Sequence, residues 1–361
     1  MKQRLLPALF ILALAILQGC KKDNDEPAKE QELDRIYVLN QGGMGQNNSG
    51  ITLYNLKTSE TTTDFYKSVN GSSLGETAND LKLYGSKLYC VVCGKLGQKS
   101  SFVDVINSAT GKSIKRISFN SDTEGYLPRF ITFYKDKAYV SAYDGKIRRI
   151  DTASLAIDKE VQTGGAMEDI AVANNKIYVA NSVHFQHPTN VQNSLSVIDL
   201  SSFTKIKDIP VANNPQQLAL LKSGDLLVTT AGNYDDIAPS SQVVSTSTDA
   251  VSSTINQNIS YMAVAGDKGY AISAPYGETP SYSMLDLASG KVGAAFITAP
   301  AITTPYGIAA NPVTGDAAIM DAMNYASTGK ALYFTTDGKL SFSFATGPNP
   351  STAVFIYTNK K

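Results

Sequence analysis

The stretch "ANDLKLYGSKLYCVV", Ala78 to Val92, decides how this chain folds. It reads as a strand, a tight polar turn and a second strand, and the same unit returns five times: "PRFITFYKDKAYVSA", "MEDIAVANNKIYVAN", "PQQLALLKSGDLLVTT", "SYMAVAGDKGYAIS" and "PYGIAANPVTGDAAIM". The first inward apolar positions, Leu81, Ile131, Ile170, Leu218, Met262 and Ile308, follow one another at intervals of 50, 39, 48, 44 and 46 residues. A period of this size marks a propeller whose blades each hold about four strands. Third strands such as "LSVIDL", "YSMLDL" and "ALYFTT" and fourth strands such as "KIKDIPV" and "KLSFSF" follow each pair, joined by Gly- or Asp-containing turns.

Six complete blades come from this pattern, and the two ends of the chain supply a seventh. The N-terminal segment starts on a second-strand pattern, "RIYVLN", then "ITLYNL" and "TTTDFY", so it lacks an innermost strand. The tail "NPSTAVFIYTNKK" repeats the start of the unit, with Pro350 where Pro128, Pro215 and Pro305 stand and Ala353 placed 45 residues after Ile308. The expected fold is therefore all-β, a seven-bladed β-propeller with four-stranded blades, in which the C-terminal strand completes the first blade. Closure in this way removes open sheet edges.

Composition agrees with one large β domain. The chain has 361 residues, 43% of them hydrophobic, enough to fill a core of that size. Its 32 basic and 32 acidic residues cancel, which argues against a nucleic-acid partner.

The N-terminus carries Lys2 and Arg4 before an apolar run from Leu5 to Leu17, the layout of an export signal and too short for an ordinary spanning helix. "LQGC" follows and resembles the bacterial lipobox, which implies lipidation of Cys20; Gln18 departs from the small residue usual there. The next segment, "KKDNDEPAKEQELD", is too polar to fold alone. Its Asp23, Asp25 and Glu26 resemble the surface-export signal of Bacteroidetes lipoproteins. The expected division is a signal peptide over 1–19, a tether over 20–34 and the propeller over 35–361, with the protein held at the outer membrane by its lipid and facing the cell exterior.

In an up-and-down blade the links from first to second and third to fourth strands share one face, and the remaining links share the other. Long inserts gather on the second of these faces: "QGGMGQNNSG", "CGKLGQKSS", "SVHFQHPTNVQN", "GNYDDIAPSS", "PYGETPS" and "AMNYASTG". Loop length in excess of the minimum, on a rigid scaffold, is where binding function concentrates. Candidate ligand contacts on this face are Arg129, Phe130, Glu168, Asp169, Gln216, Tyr261 and Tyr306 at the starts of inner strands. Tyr143, Asn181, His184, Phe185, Tyr234, Tyr276 and Tyr325 join them from the surrounding links. Aromatic area with scattered amides and carboxylates suits a large polar ligand with a flat part.

No motif argues for catalysis. "GSSLG", Gly71 to Gly75, matches a nucleophile elbow but lacks the strand-to-helix context that motif requires. Glu168 and Asp169 are adjacent on a strand and diverge, and no partner carboxylate completes an acid/base pair. "HFQH" offers His184 and His187 without a third metal ligand, and Cys90 and Cys93 lie on opposite faces of one strand, too far apart to bridge. The chain reads as a binding protein without a catalytic site, a metal or a cofactor.

The segments "VLNQGGMGQNNSGITLYNL" and "NGSSLGETANDLKLYGSKLYCVV" resemble the start of Bacteroidetes surface propeller lipoproteins of the YVTN or surface-layer type. The best-characterised members of that family capture cobalamin for a TonB-dependent outer-membrane transporter. The resemblance thus implies a corrinoid as bound ligand and such a transporter as partner. An alternative is a glycan- or protein-binding module of the cell surface; the absence of Trp weighs against a sugar platform.

Overall fold

The computed structural model describes residues 31–184, 193–297 and 302–360. Seven four-stranded antiparallel sheets form the blades, as the repeat predicts. Blade 2 shows the common order, running outward from Ala78–Tyr84 through Lys87–Val92 and Phe102–Asn107 to Ser113–Ser118. Inner strands of blades 3 to 7 are Pro128–Tyr134, Ala166–Ala173, Pro215–Leu220, Tyr261–Ala265 and Pro305–Ala310. Blade 1 takes its inner strand, Pro350–Asn359, from the C-terminus, paired antiparallel to Gln31–Asn40.

Second strands show why a propeller holds together. Lys87–Val92 is buried at every position after the first, because each face of a blade packs against a neighbouring blade. Tyr89 and Val91 face a cluster shared with blade 3, while Leu88, Cys90 and Val92 face one shared with blade 1. Outer strands are largely exposed; Thr204–Pro210 buries just Ile209.

Turn chemistry sets the register. Asn174 and Asn175 both have positive φ, 46° and 59°, and join Ala173 to Lys176 in the two-residue mirror-image turn that suits twisted hairpins. The inner strands also tie blade to blade. Ile131 N–H donates to Asp80 Oδ2 at 3.0 Å, Leu218 N–H to Asp169 Oδ2 at 2.9 Å and Met262 N–H to Gln217 Oε1 at 3.0 Å.

Two local expectations change. The first strand of the propeller begins at Gln31, inside the segment read as tether, because Leu33 pairs with Tyr357 of the closing strand. The outer strand of blade 1 is Glu60–Thr62, and "DFY" leaves it for a short helix, Phe65–Asn70, that buries Tyr66 and ends on Gly71 at φ 77°. "GSSLG" is the exit from that helix, with Leu74 buried in the core.

Candidate functional site

The face bearing the long loops surrounds the mouth of a central shaft with a cavity of about 550 Å³. Phe130, Asp169, Tyr261 and Tyr306 line it, joined by Gln41, Asn79, Asp80, Lys82 and Gln217. Tyr306 donates its hydroxyl to Gln41 Oε1, which bridges blade 7 to blade 1 at the mouth. A lysine stands inside the shaft: the Lys82 ammonium lies 3.5 Å from Asp80 Oδ2, and 40% of its side chain is open to the shaft. Burial lowers the affinity of Lys82 for its proton, but the Asp80 and Asp169 carboxylates outweigh this and raise its pKa. Burial acts the other way on Asp169, lifting it to about 6 although Lys82 opposes the shift.

A second group lies to the side of the mouth, between blades 2 and 4. Arg129 donates from Nε and Nη2 to Glu168 Oε2, both at 3.0 Å, and Tyr143 OH donates to Glu168 Oε1 at 2.7 Å. The guanidinium lies 4.8 Å from the centre of the Tyr143 ring, which also packs against the His184 ring at 4.6 Å. Burial would lower the Arg129 pKa, and Glu168 outweighs it, so the charge is permanent. Burial pushes the Tyr143 phenol well above its usual value. Both groups therefore keep one protonation state across the physiological range. Burial also lifts the Cys93 thiol beside them to about 11, which leaves it unreactive, and Cys90 is buried on the opposite face of the same blade.

A third group is made of amides. Gln216 Nε2 donates to Ser182 Oγ at 2.9 Å and to Asn214 Oδ1 at 2.7 Å, and Asn214 Nδ2 donates to Tyr234 OH at 3.2 Å. Above it stand the loop tips. Tyr234 is 81% exposed, Tyr325 is 56% exposed and Tyr276 is fully exposed. Tyr234 and Tyr325 hold positive φ, 60° and 63°, each after an Asn whose Oδ1 closes the turn on following N–H groups. Tyr325 meets Tyr306 edge to face at 5.9 Å, which joins the outer tier to the mouth. Two of the long loops are pinned from below: Glu76 accepts N–H bonds from Gly45 and Asn47, and Asp321 accepts one from Met323 as well as those of Thr303 and Thr304 in the link to the last blade.

Asn181 does not belong to this surface. It has no exposure, and its Nδ2 donates to Ser194 Oγ and Ser196 Oγ, both at 2.9 Å, inside blade 4. Phe185 and His187 lie outside the described residues, as does Cys20. Sequence reasoning missed Lys82 and Gln41 and preferred Gln216 to Gln217 for the shaft. Lys82 follows Asp80 by two residues on a strand, a spacing that returns a side chain to the same side and was there to be read. Among the described residues no cluster of His, Cys, Asp and Glu could hold a metal ion, and no helix is long and apolar enough to cross a membrane.

Residues 34–348 match the family model described as "Domain of unknown function (DUF5074)". The chain belongs to this family. No protein of curated function matches it in sequence. Solved structures share the architecture of this DUF5074 domain. A quinoprotein alcohol dehydrogenase-like protein from Bacteroides thetaiotaomicron is 16% identical with a TM-score of 0.64, covering 89% of this chain and 78% of that one. A protein from Lactobacillus plantarum is 14% identical with a TM-score of 0.62, covering 90% and 100%. Hydrazine synthase of Kuenenia stuttgartiensis is 16% identical with a TM-score of 0.59, covering 74% and 86%. Such likenesses show the fold alone, and propellers carry both enzymes and non-enzymes.

Proposed function

We propose that this protein binds a corrinoid on the loop-bearing face and passes it to a TonB-dependent outer-membrane transporter, without catalysing a reaction. The observation that carries the reading is a tiered bowl on one face. Aromatic tips Tyr234, Tyr276 and Tyr325 stand outermost, fixed polar groups at Arg129, Glu168 and Gln216 lie within, and Phe130, Tyr261 and Tyr306 ring the shaft. A corrin is flat, broad and edged with amides, so it needs apolar area and many separate hydrogen bonds rather than one charged anchor. Each hydrogen bond contributes about 0.5–1.5 kcal/mol net, and the pinned loops lower the ordering cost of making them together. The family resemblance of the N-terminal segments supports the same ligand class.

Location follows from the leader. The lipobox at Cys20 and the acidic residues after it support an outer-membrane lipoprotein exposed at the surface, positioned to hand a ligand to a transporter in the same membrane.

Calorimetric titration with cyanocobalamin of the chain from Lys21 onward tests the reading. Binding at micromolar concentration, nearly unchanged between low and high salt because the ligand is close to neutral, is the expected result. Absence of heat and of co-elution overturns it and makes a glycan or protein ligand the next candidate.

A further inference from the structure

We propose that the shaft is a subsite for an uncharged primary carboxamide carried on a short apolar chain; this deepens the corrinoid reading, since corrins bear such arms. The shaft walls differ in chemistry. Blades 2 and 4 present the charged groups Asp80, Lys82 and Asp169, whereas blades 5 to 7 present no charged group but Leu218, Met262 and Ile308 together with Gln217, Tyr261 and Tyr306. The charged wall has unused bonding capacity. Each oxygen of Asp169 accepts one backbone N–H, from Ile170 and from Leu218, which leaves one lone pair per oxygen. Asp80 is placed in the same way by Leu81 and Ile131. Lys82 has three N–H groups and meets Asp80 only at the 3.5 Å ion-pair distance.

Charge decides which guest suits this wall. A carboxylate would approach Lys82 but would also face two carboxylates in a confined space. An ammonium would approach Asp169 but would share that space with Lys82. A carboxamide offers a carbonyl to Lys82 and N–H groups to Asp169 or Asp80, and adds no charge to the cluster. The cavity, at about 550 Å³, holds one arm and its chain, while a corrin ring remains on the face above.

Three probes of one length separate the possibilities without a corrinoid: hexanamide, hexanoate and hexylammonium, titrated at pH 7.5 into the chain from Lys21 onward. Met262, one of the residues lining the shaft, is labelled with carbon-13 at its methyl group to report occupancy. Expected is saturable millimolar binding of hexanamide, with both charged probes at least tenfold weaker. Lys82→Met removes the ammonium from this wall, leaves only the carboxyl groups of Asp80 and Asp169 there, and should turn the preference towards hexylammonium, with circular dichroism checking that the variant is folded. Equal binding of all three probes by the native chain, or no shift of Met262 with hexanamide, overturns the proposal.

Cyanocobalamin then separates this proposal from the reading it rests on. If cyanocobalamin binds while hexanamide does not, and Lys82→Met leaves cobalamin affinity unchanged, the face reading stands and the shaft subsite falls. If hexanamide binds with the stated preference while cyanocobalamin does not, the subsite stands and the corrinoid reading falls.

Discussion

Gly307 sits against the strand that closes the ring: a Cβ added there would lie 1.9 Å from the carbonyl oxygen of Ser351. Gly307→Ala must push that backbone away, so a loss of about 1–3 kcal/mol is expected, read as a lower denaturant midpoint. Tyr234 and Tyr325 show the opposite balance. Each holds a left-handed backbone that a bulky residue adopts only at a cost, so Tyr234→Gly and Tyr325→Gly should keep or raise the unfolding temperature while weakening cobalamin binding several-fold. Loss of stability with unchanged affinity would mean that these rings pack rather than bind. Asp169 carries a pH signature. Its folded pKa, about 6, exceeds the unfolded value near 3.9, so the native state holds the proton more tightly. Its contribution favours folding most below the unfolded value and is lost as pH rises from about 4 to 6. Stability of the native chain relative to Asp169→Asn should fall across that window, which denaturation at successive pH values measures.

At the level of strands, closure by the C-terminus is the feature on which the ring depends. Pro350–Asn359 pairs with Gln31–Asn40, buries Ala353 and Phe355 against blade 7 and buries Val354 in the cluster shared with blade 2. A chain ending at Pro350 should lose several kcal/mol, or not fold, because blade 1 then has an open inner edge and both neighbouring blades lose a packed face. Equal unfolding temperatures for truncated and full chains would contradict this. Strand order and closure were legible because the repeat is carried by apolar alternation and turn residues, which are local. The helix Phe65–Asn70 was not legible: six residues give less than two turns of periodicity, and its place depends on burying Tyr66, whose hydroxyl donates to Asp104 at 2.6 Å in blade 2.

For the whole molecule, location and binding are separate experiments. Cys20→Ala should release the protein from the membrane fraction, and replacement of Asp23, Asp25 and Glu26 by Ala should leave it lipidated but protected from protease added to intact cells. Unchanged surface digestion of the second variant would remove the export role of those acids. Propeller architecture makes such independence natural, since the ring is closed upon itself by the pairing of Pro350–Asn359 with Gln31–Asn40.

Seven blades, the closing strand and the crowding of long loops on one face were determined by the sequence alone. They follow from periods of two residues along a strand and roughly 45 along the chain. Which side chains meet was decided only by the ring. Asn181 looks like a loop-side amide in the chain but turns into its blade, because Ser194 and Ser196 on the paired strand offer it bonds there. Arg129 and Glu168, 39 residues apart, become an ion pair through the rotation from one blade to the next. Lys82 and Asp169, from blades 2 and 4, influence each other's ionisation across a shaft that exists only when all seven inner strands stand around one axis.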